Sequence, residues 1–237
     1  MKRTAVVGFC LYIIVPACWS IDSLDSEDVN EDKYWGEYSV SFDAEDGDLR
    51  YYAQFRAGGS TGTTIRLSDP SNVAVDGKQL QLFDGDEAWL NIQGSYYFLN
   101  ESVAAPAGEY SYLWTRLDGS THENVVLMAD PIGVVAPAID ETFSKAEGLT
   151  VTFNPPVGPD EEVRCTINGD GEYDSDWVSS GDSCVFTAEE LTEMEPGSAT
   201  VYVRRRLPGE IQNGHDDEGG TINSYYTSTR VNVIVAE

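Results

Sequence analysis

Alternation of apolar and polar residues with a period of two runs through most of this chain. Residues 38–42, 49–56, 149–154, 199–204 and 231–235 all alternate in this way. Successive side chains of a β-strand point to opposite faces, so the pattern predicts strands with one buried face. No segment of comparable length carries the 3.6-residue period of a helix. The sequence therefore predicts an all-β protein.

Turn signals separate the predicted strands. Asp76-Gly77 is a strong two-residue hairpin signal, and the Gly-rich residues 58–62 predict a second turn. A capping box, Thr187-Ala188-Glu189-Glu190, predicts one or two helical turns over residues 187–194. Many short strands with turns between them are typical of antiparallel β-sandwiches.

The pattern divides into two halves. Prolines flank residues 131–137, which we interpret as a linker between sandwich domains at 34–130 and 138–237. The preceding residues, 18–33, are acidic and show no period, so we predict a disordered tether.

The N-terminus has the order of a secretory signal. Met1-Lys2-Arg3 is positive, residues 4–17 are apolar, and a small residue, Ala17, precedes Cys18. The apolar run is shorter than the roughly 20 residues that a membrane-spanning helix needs. We predict that residues 1–17 are a signal peptide and that the protein is exported.

The end of this segment, Val15-Pro16-Ala17-Cys18, resembles the lipobox of bacterial lipoproteins. The resemblance implies that Cys18 becomes the first residue and carries acyl chains, which would anchor the protein to the outer membrane. Pro16 departs from the family pattern. Ordinary cleavage after Ala17 or Ser20 would instead give a soluble periplasmic or secreted protein.

The chain is strongly acidic, with 41 Asp and Glu against 14 Lys and Arg and a formal net charge of −27. Such a charge repels phosphate backbones, which excludes nucleic acid as a partner. It also repels anionic lipid, so attachment to the bilayer has to come from acyl chains. The acidity suits binding of cations or a basic partner, or simply solubility.

Two cysteines remain once Cys10 of the signal peptide and the predicted lipid site Cys18 are set aside. Cys165 and Cys184 are predicted to form a disulfide, the default for a cysteine pair in an exported chain. Cys165 shares a strand face with Val163, and Cys184 shares one with Phe186, so both sulfur atoms should lie inside the second domain. A zinc site would need a further Cys or a nearby His, and the sequence has neither there.

The sequence matches to catalytic and metal-binding motifs lack the flanking structure or the ligands that these motifs require. Residues 58–62 match G-x-S-x-G, but a strand rather than a helix is predicted to follow. His122 and His215 lie in polar surroundings typical of exposed loops. Residues 168–176 superficially resemble a calcium loop, yet position twelve is Ser179 instead of Glu. We predict no catalytic residue, no metal ligand and no cofactor; the alternative is an envelope hydrolase that uses unassigned carboxylates.

Aromatic residues crowd the first half of the chain. Tyr52 and Trp89 share strand faces with polar residues, so they are candidates for an exposed surface that stacks on sugars or contacts a protein. Tyr51, Tyr112 and Trp114 would instead fill the core.

One further resemblance concerns residues 106–110, Pro-Ala-Gly-Glu-Tyr. They resemble the turn that leads into the tyrosine corner of immunoglobulin-like and fibronectin-type sandwiches. The separation of Cys165 and Cys184 is much shorter than that of the inter-sheet bridge in antibody domains. Together the resemblances imply a bacterial envelope lipoprotein with two tandem immunoglobulin-like domains. It would serve as a non-enzymatic structural or binding module whose partners are the bilayer and an envelope protein or polysaccharide.

Overall fold

The computed structural model describes residues 23–84, 94–215 and 218–237. These residues form strands and two single 3-10 turns, Ser26–Asp28 and Glu31–Lys33. The all-β prediction is confirmed. The strands in chain order are β1 (Leu24–Asp25), β2 (Tyr34–Asp43), β3 (Asp48–Ala57), β4 (Thr63–Arg66), β5 (Asn72–Val75), β6 (Lys78–Gln79), β7 (Gln81–Asp84), β8 (Ser95–Ser102), β9 (Glu109–Thr115), β10 (Thr121–Leu127), β11 (Gly133–Ala136), β12 (Glu141–Ser144), β13 (Leu149–Asn154), β14 (Glu162–Asn168), β15 (Glu172–Asp174), β16 (Ser183–Phe186), β17 (Gly197–Gly209), β18 (Gly220–Thr227) and β19 (Val231–Ala236).

The strands build one large sheet and two small ones. The large sheet has the order β1-β4-β3-β2-β18-β17-β14-β15, with β8 and β7 branching from β3 and with β19 and β12 branching from β17. A four-stranded sheet, β10-β9-β5-β6, packs on the first part of the large sheet. A three-stranded sheet, β11-β13-β16, packs on the second part. The β-sandwich prediction is therefore confirmed.

Each sandwich encloses its own apolar core. The first core is aromatic, and Trp114 at its centre is fully buried against Tyr34 and Phe55. The second core is aliphatic and contains Val151, Val201 and both cysteines. The inward residues are those that the period-two pattern of the sequence selects.

The tyrosine corner is present. The hydroxyl of Tyr110, at the start of β9, accepts a hydrogen bond of 2.7 Å from the backbone N–H of Ala107. This bond fixes the turn that leads into the strand, as in other sandwiches with this feature.

The hairpin turn at Asp76-Gly77 also forms as predicted. Both residues have positive φ angles, 47° and 77°, and β5 pairs with β6 across them.

Residues 58–62 form the turn between β3 and β4, so a strand follows the G-x-S-x-G match. The capping box is made as well: Thr187 N–H donates to the carboxylate of Glu190, and Glu190 N–H donates to Thr187 Oγ1. Residues 188–193 nevertheless form successive turns instead of a regular helix.

The two cores are built from segments that cross the predicted domain boundaries. The N-terminal part of β17 pairs with β19 and β14 in the second sandwich, and its C-terminal part pairs with β18. β18 then pairs in parallel with β2, and its Ile222 lies in the first core. β18 thus links the two sandwiches, and its Tyr226 packs against both cores. The boundaries 34–130 and 138–237 remain a prediction for limited proteolysis to test.

Residues 24–33 differ from the predicted disordered tether. β1 pairs in parallel with β4, and Ser26 is fully buried. The carboxylate of Glu31 accepts hydrogen bonds from the backbone N–H of Leu117, which ties the acidic segment to the sandwich. Hydrogen bonds from buried polar groups, which leave no signal in the hydrophobic pattern, order this segment.

The two histidines are not in exposed loops, so that prediction was wrong. His122 lies on β10, and His215 is only 2% exposed. The His215 ring stacks on Trp114 at 5.0 Å between centroids. Its Nδ1 lies 2.9 Å from the carbonyl oxygen of Tyr34, and its Nε2 lies 2.9 Å from the hydroxyl of Tyr38. Because a carbonyl oxygen only accepts, Nδ1 carries the proton in this arrangement.

Gly36 on β2 provides the space that His215 occupies. A Cβ atom at this position would overlap the imidazole and lie 2.5 Å from its Cε1. We expect Gly36→Ala to lower the free energy of unfolding by about 1–3 kcal/mol, because added volume in a packed core forces side chains out of their favoured positions. Urea denaturation measures the change. Gly133→Ala, where a new Cβ meets no atom within 4 Å, is the matched control and should be close to neutral. An equal effect at both positions would contradict the prediction.

Candidate functional site: an arginine pocket on the outer face of the large sheet

Four arginine side chains converge where β14, β17, β18, β2 and β3 lie side by side. We call the cavity between Arg50, Arg164, Arg204 and Arg230 the arginine pocket; its volume is about 170 Å³. A single water needs roughly 10–15 Å³ on such a measure, so the pocket has room for a small ligand group. The remaining lining residues are Ser41, Phe42, Asp43, Asp48, Glu172, Tyr202 and Thr227.

Strand register brings these residues together. Arg164 on β14 lies directly opposite Arg204 on β17, and Arg204 lies opposite Thr227 on β18. Thr227 in turn pairs with Asp43 on β2. Because paired residues share a face of the sheet, all of them point away from the cores, whereas the alternate residue Val203 is fully buried.

Three of the four arginines have a carboxylate partner. Arg230 binds Asp43 through two hydrogen bonds of 3.2 and 3.0 Å, Nη1 to Oδ1 and Nη2 to Oδ2. Arg50 Nη2 lies 3.0 Å from Asp48 Oδ2. These pairs fix the positions of the two guanidinium groups at the β2–β3 end of the pocket.

The third pair lies on the other side of the pocket. Arg164 Nη1 is 2.9 Å from Asp174 Oδ2 on β15. The Cζ atom of Arg164 also lies 5.0 Å from the ring centroid of Trp177. The indole and the carboxylate together hold this guanidinium beside Arg204.

Arg204 is different, since no carboxylate of the described residues forms an ion pair with it. Its Nε is buried without a hydrogen-bond partner, and its Cζ lies 4.2 Å from the ring centroid of Tyr225. Burial lowers the pKa of Arg204, and the positive charge of Arg164 lowers it as well. Like charges directly opposite each other on neighbouring strands are destabilising. Arg204 is therefore the one arginine of the pocket without a direct carboxylate partner among the described residues, although the carboxylate of Glu172 also lines the pocket.

The structure places the predicted site residues as follows. Cys165 on β14 and Cys184 on β16 form the predicted disulfide, with 6.1 Å between Cα atoms, and both are buried. β14 belongs to the large sheet and β16 to the three-stranded sheet, so the bridge joins two sheets despite its short separation. Cys18 and Trp89 lie outside the described residues.

Tyr52 lies on β3 on the same outer face as Arg50, two residues away. It is half-buried, and its ring is 5.8 Å from that of Tyr96. Phe83 stacks on Tyr96 and contacts Phe98 edge to face. Burial raises the pKa of Tyr52. We call Tyr52, Phe83, Tyr96 and Phe98 the aromatic cluster; it lies on the same outer face as the arginine pocket, but none of its residues lines the pocket.

The arginine pocket is not apparent from the sequence patterns. Three consecutive arginines, residues 204–206, stand out in a chain with so few cations. The predicted alternation over residues 199–204 already places Arg204 on the polar face, and two further residues would have placed Arg205 inside and Arg206 outside. Nothing in the sequence indicates that Arg50, Arg164 and Arg230 lie beside them.

Comparison with known proteins gives fold-level similarity alone. No known protein family and no curated protein matches the sequence. Among solved structures, the fibronectin(III)-like modules of Clostridium thermocellum CbhA are 12% identical, with 83% of this chain and 88% of that chain covered and a TM-score of 0.26.

Two other solved structures are comparably distant. DIP-gamma IG1+IG2 is 11% identical over 86% of this chain and 98% of that one, with a TM-score of 0.23. A 1.5-MDa bacterial ice-binding adhesin is 15% identical over 87% of this chain and 67% of that one, with a TM-score of 0.22. With scores this low, the fold assignment depends on the strand pairing and the two cores described above.

Proposed function

We propose that this protein is a non-enzymatic binding module that holds an anionic ligand in the arginine pocket. The observation that carries the proposal is Arg204, a partly buried guanidinium that lies opposite Arg164 and has no direct carboxylate partner among the described residues. Natural proteins violate such local rules of stability mainly at functional sites. An anion bound here would give Arg204 the direct hydrogen-bonded partner that the described residues do not supply.

The enzyme alternative has less support. His215 is enclosed by aromatic rings and has both ring nitrogens within hydrogen-bond distance of protein oxygens. The serine of the G-x-S-x-G match lies in a hairpin turn, without the strand-to-helix geometry of a nucleophile. Turnover of an ester, peptide or glycoside that is lost when a specific carboxylate pair is mutated would overturn the binding-module proposal.

Replacing Arg204 tests the proposal directly. We expect Arg204→Gln to weaken anion binding by about 10–100-fold, since a charge-assisted hydrogen bond contributes roughly 1.5–3 kcal/mol. Isothermal titration of the protein with sodium acetate and inorganic phosphate at low ionic strength measures this. Arg206→Gln is the matched control: Arg206 lies on the same strand and face, but it pairs with Glu162 at 3.3 Å and does not line the pocket. Equal losses in both variants, or no anion binding to the unaltered protein, would contradict the proposal.

We also propose that the module is exported and held on the outer membrane by acyl chains at Cys18. The signal-like residues 1–17 support export, and the lipobox-like residues 15–18 support lipidation. Among the described residues, none forms a helix suited to crossing a bilayer. A soluble periplasmic or secreted protein is the alternative.

Mass spectrometry of the mature N-terminus distinguishes these locations. We expect Cys18 to carry two or three acyl chains, because a single chain binds membranes only marginally. Cys18→Ala should then release the protein from the membrane fraction. An unmodified N-terminus at Cys18 or Ile21 would contradict the lipid anchor and leave the binding proposal untouched.

A further inference from the structure

We propose that β10 is a latent dimerisation edge, and that the side chains of Gln212 and Asn213 keep it closed in the monomer. The partner that fits this edge is a second copy of β10, paired antiparallel about a two-fold axis at Val125. We call Gln212 and Asn213 the edge guard. Neither the arginine pocket nor the lipid anchor takes part in this pairing.

β10 is the edge strand of the four-stranded sheet, in which it pairs with β9. Edge strands present backbone N–H and C=O groups that can pair with another chain. The opposite edge, β6, is protected because it is only two residues long and contains Lys78. β10 is seven residues long, contains no lysine and ends in Leu127, which is 56% exposed. Its length, charge and exposure therefore favour pairing unless other groups cover it.

The edge guard occupies backbone groups of β10 that face away from β9. Gln212 Oε1 accepts a hydrogen bond of 2.6 Å from the N–H of Val125, and Gln212 Nε2 donates one of 3.2 Å to the carbonyl oxygen of Val125. Asn213 Nδ2 donates to the carbonyl oxygen of Glu123 at 2.8 Å. The amide of Gln212 thus makes the two hydrogen bonds that the opposite residue makes in a hydrogen-bonded antiparallel pair.

A buried asparagine on β10 holds the edge guard in place. Asn124 is fully buried, and its Oδ1 accepts hydrogen bonds from the N–H groups of Gln212 and Asn213 at 2.9 and 3.1 Å. Its Nδ2 donates to the carbonyl oxygen of Asn213 at 3.0 Å. These bonds fix the backbone of the guard, whereas the guard side chains cover the edge. Replacing those side chains should therefore open the edge without removing the backbone that supports them.

A second copy of β10 reproduces the hydrogen bonds of the edge guard. With the two-fold axis at Val125, this residue lies opposite Val125 of the second copy, and Glu123 lies opposite Leu127 of the second copy. The two Val125 residues then exchange both hydrogen bonds, as Val125 now does with Gln212. The N–H of the second Leu127 replaces Asn213 Nδ2 at the carbonyl oxygen of Glu123. No like charges lie directly opposite each other in this register.

Space for the second strand lies along the same edge. A cavity of about 440 Å³ is lined by Glu123, Val125, Leu127 and the two residues of the edge guard. Leu113 on β9, which pairs with Glu123, is 40% exposed on the outer face of the sheet. Pairing of two copies would therefore cover apolar side chains of both sheets as well as the backbone groups.

The charge of the chain opposes this dimer at low salt. Each copy has a formal net charge of −27, so two copies repel each other over long distances. The Debye length falls from roughly 30 Å at 0.01 M salt to roughly 8 Å at 0.15 M, which screens that repulsion. Pairing through β10 should therefore strengthen with salt, whereas an association held by ion pairs would weaken.

Analytical ultracentrifugation measures the oligomeric state. All variants are made in the full-length Cys18→Ala protein, so that acyl chains take no part in association. We expect Gln212→Ala/Asn213→Ala to dimerise at least about tenfold more tightly than the parent, because the edge no longer has to displace its guard. The dimer should strengthen with added NaCl. The parent and the control Gln79→Ala, which alters an exposed glutamine on β6, should stay monomeric at the same concentrations.

Disulfide cross-linking of the guard-deleted protein tests the register. Val125→Cys should form an intermolecular disulfide, because the Cα atoms of a hydrogen-bonded pair lie about 5.5 Å apart. Leu127→Cys should not, because the two copies of this position lie four residues apart along the paired strands, about 14 Å. Leu127 is the more exposed of the two side chains, so accessibility by itself predicts the opposite order.

Several outcomes would overturn the inference. A guard-deleted protein that stays monomeric at every salt concentration would show that β10 is not a dimerisation edge. A dimeric parent, or a dimer of Gln79→Ala, would show that the edge guard does not close it. Weaker association at higher salt, or equal cross-linking at both positions, would contradict the pairing about Val125. Monomers that bind an added peptide of alternating lysine and valine would assign the edge to a foreign strand.

A second variant covers the case in which the double variant does not fold. Should Gln212→Ala/Asn213→Ala show no cooperative thermal melt, Gln212→Ala replaces it in every measurement. This variant keeps Asn213 and the hydrogen bonds of Asn124, and it still frees both backbone groups of Val125. The same salt dependence and the same cross-linking pattern are expected.

Discussion

Replacing Arg205 with methionine is expected to lower the free energy of unfolding by about 3–5 kcal/mol. Arg205 is 1% exposed and lies on the buried face of β17, opposite to the face of Arg204 and Arg206. Its Nη2 donates to the carbonyl oxygens of Pro155 and Pro156 at 2.7 and 3.1 Å. Its Nε lies 3.7 Å from Glu161 Oε2. Methionine fills the volume but leaves a largely buried carboxylate and two carbonyl groups without this partner.

Arg206→Met is the control for Arg205→Met. Arg206 lies next in the chain, but its side chain and that of its partner Glu162 are each about one-third exposed. Exposed ion pairs contribute roughly 0–1 kcal/mol, so the control should stay within that range. Adding Glu161→Gln to Arg205→Met should recover part of the lost stability, because it removes the unpaired negative charge of Glu161. Urea denaturation of the three variants checks these values. A loss below about 1 kcal/mol for Arg205→Met would show that the buried guanidinium is not a structural tie.

Removing the disulfide is expected to cost about 3 kcal/mol. The bridge closes a loop across a sequence separation of 19 residues, and this limits the freedom of the unfolded chain. Since it joins β14 to β16, it also holds the two sheets of the second sandwich together. Its loss should therefore act on the second core rather than the first.

Thermal and urea unfolding of Cys165→Ala/Cys184→Ala measure the cost. A reducing agent should lower the stability of the unaltered protein and leave that of the double variant unchanged. The double variant thus controls for effects of the reducing agent other than cleavage of the bridge. Hydrogen exchange should accelerate more at Val151 and Ile167 than at Val40 and Tyr112. Alkylation of the denatured, unreduced protein should label neither of the two cysteines. Full labelling of both would mean that the bridge is absent in solution.

Local sequence patterns determined the strands of this protein. Alternation with a period of two is a property of neighbouring residues, so it located β2, β3, β13 and β17 without knowledge of their partners. Asp76-Gly77 likewise fixed its hairpin, because the two residues tolerate the positive φ angles that the turn needs. The pairing of Cys165 with Cys184 followed because the one other cysteine beyond the predicted signal peptide, Cys18, is the predicted lipid site.

Tertiary structure alone decided which strands became neighbours. β2 and β18 pair in parallel although more than 180 residues separate Gly36 from Gly220, and no local signal specifies such a pairing. That contact brings His215 into the aromatic core, where its polar flanking residues had indicated a loop. It also places the β2–β3 end of the large sheet beside Arg204. A site made of side chains from six strands and the loop before β19 is fixed by strand order and register. Both depend on how the whole sheet buries its apolar face.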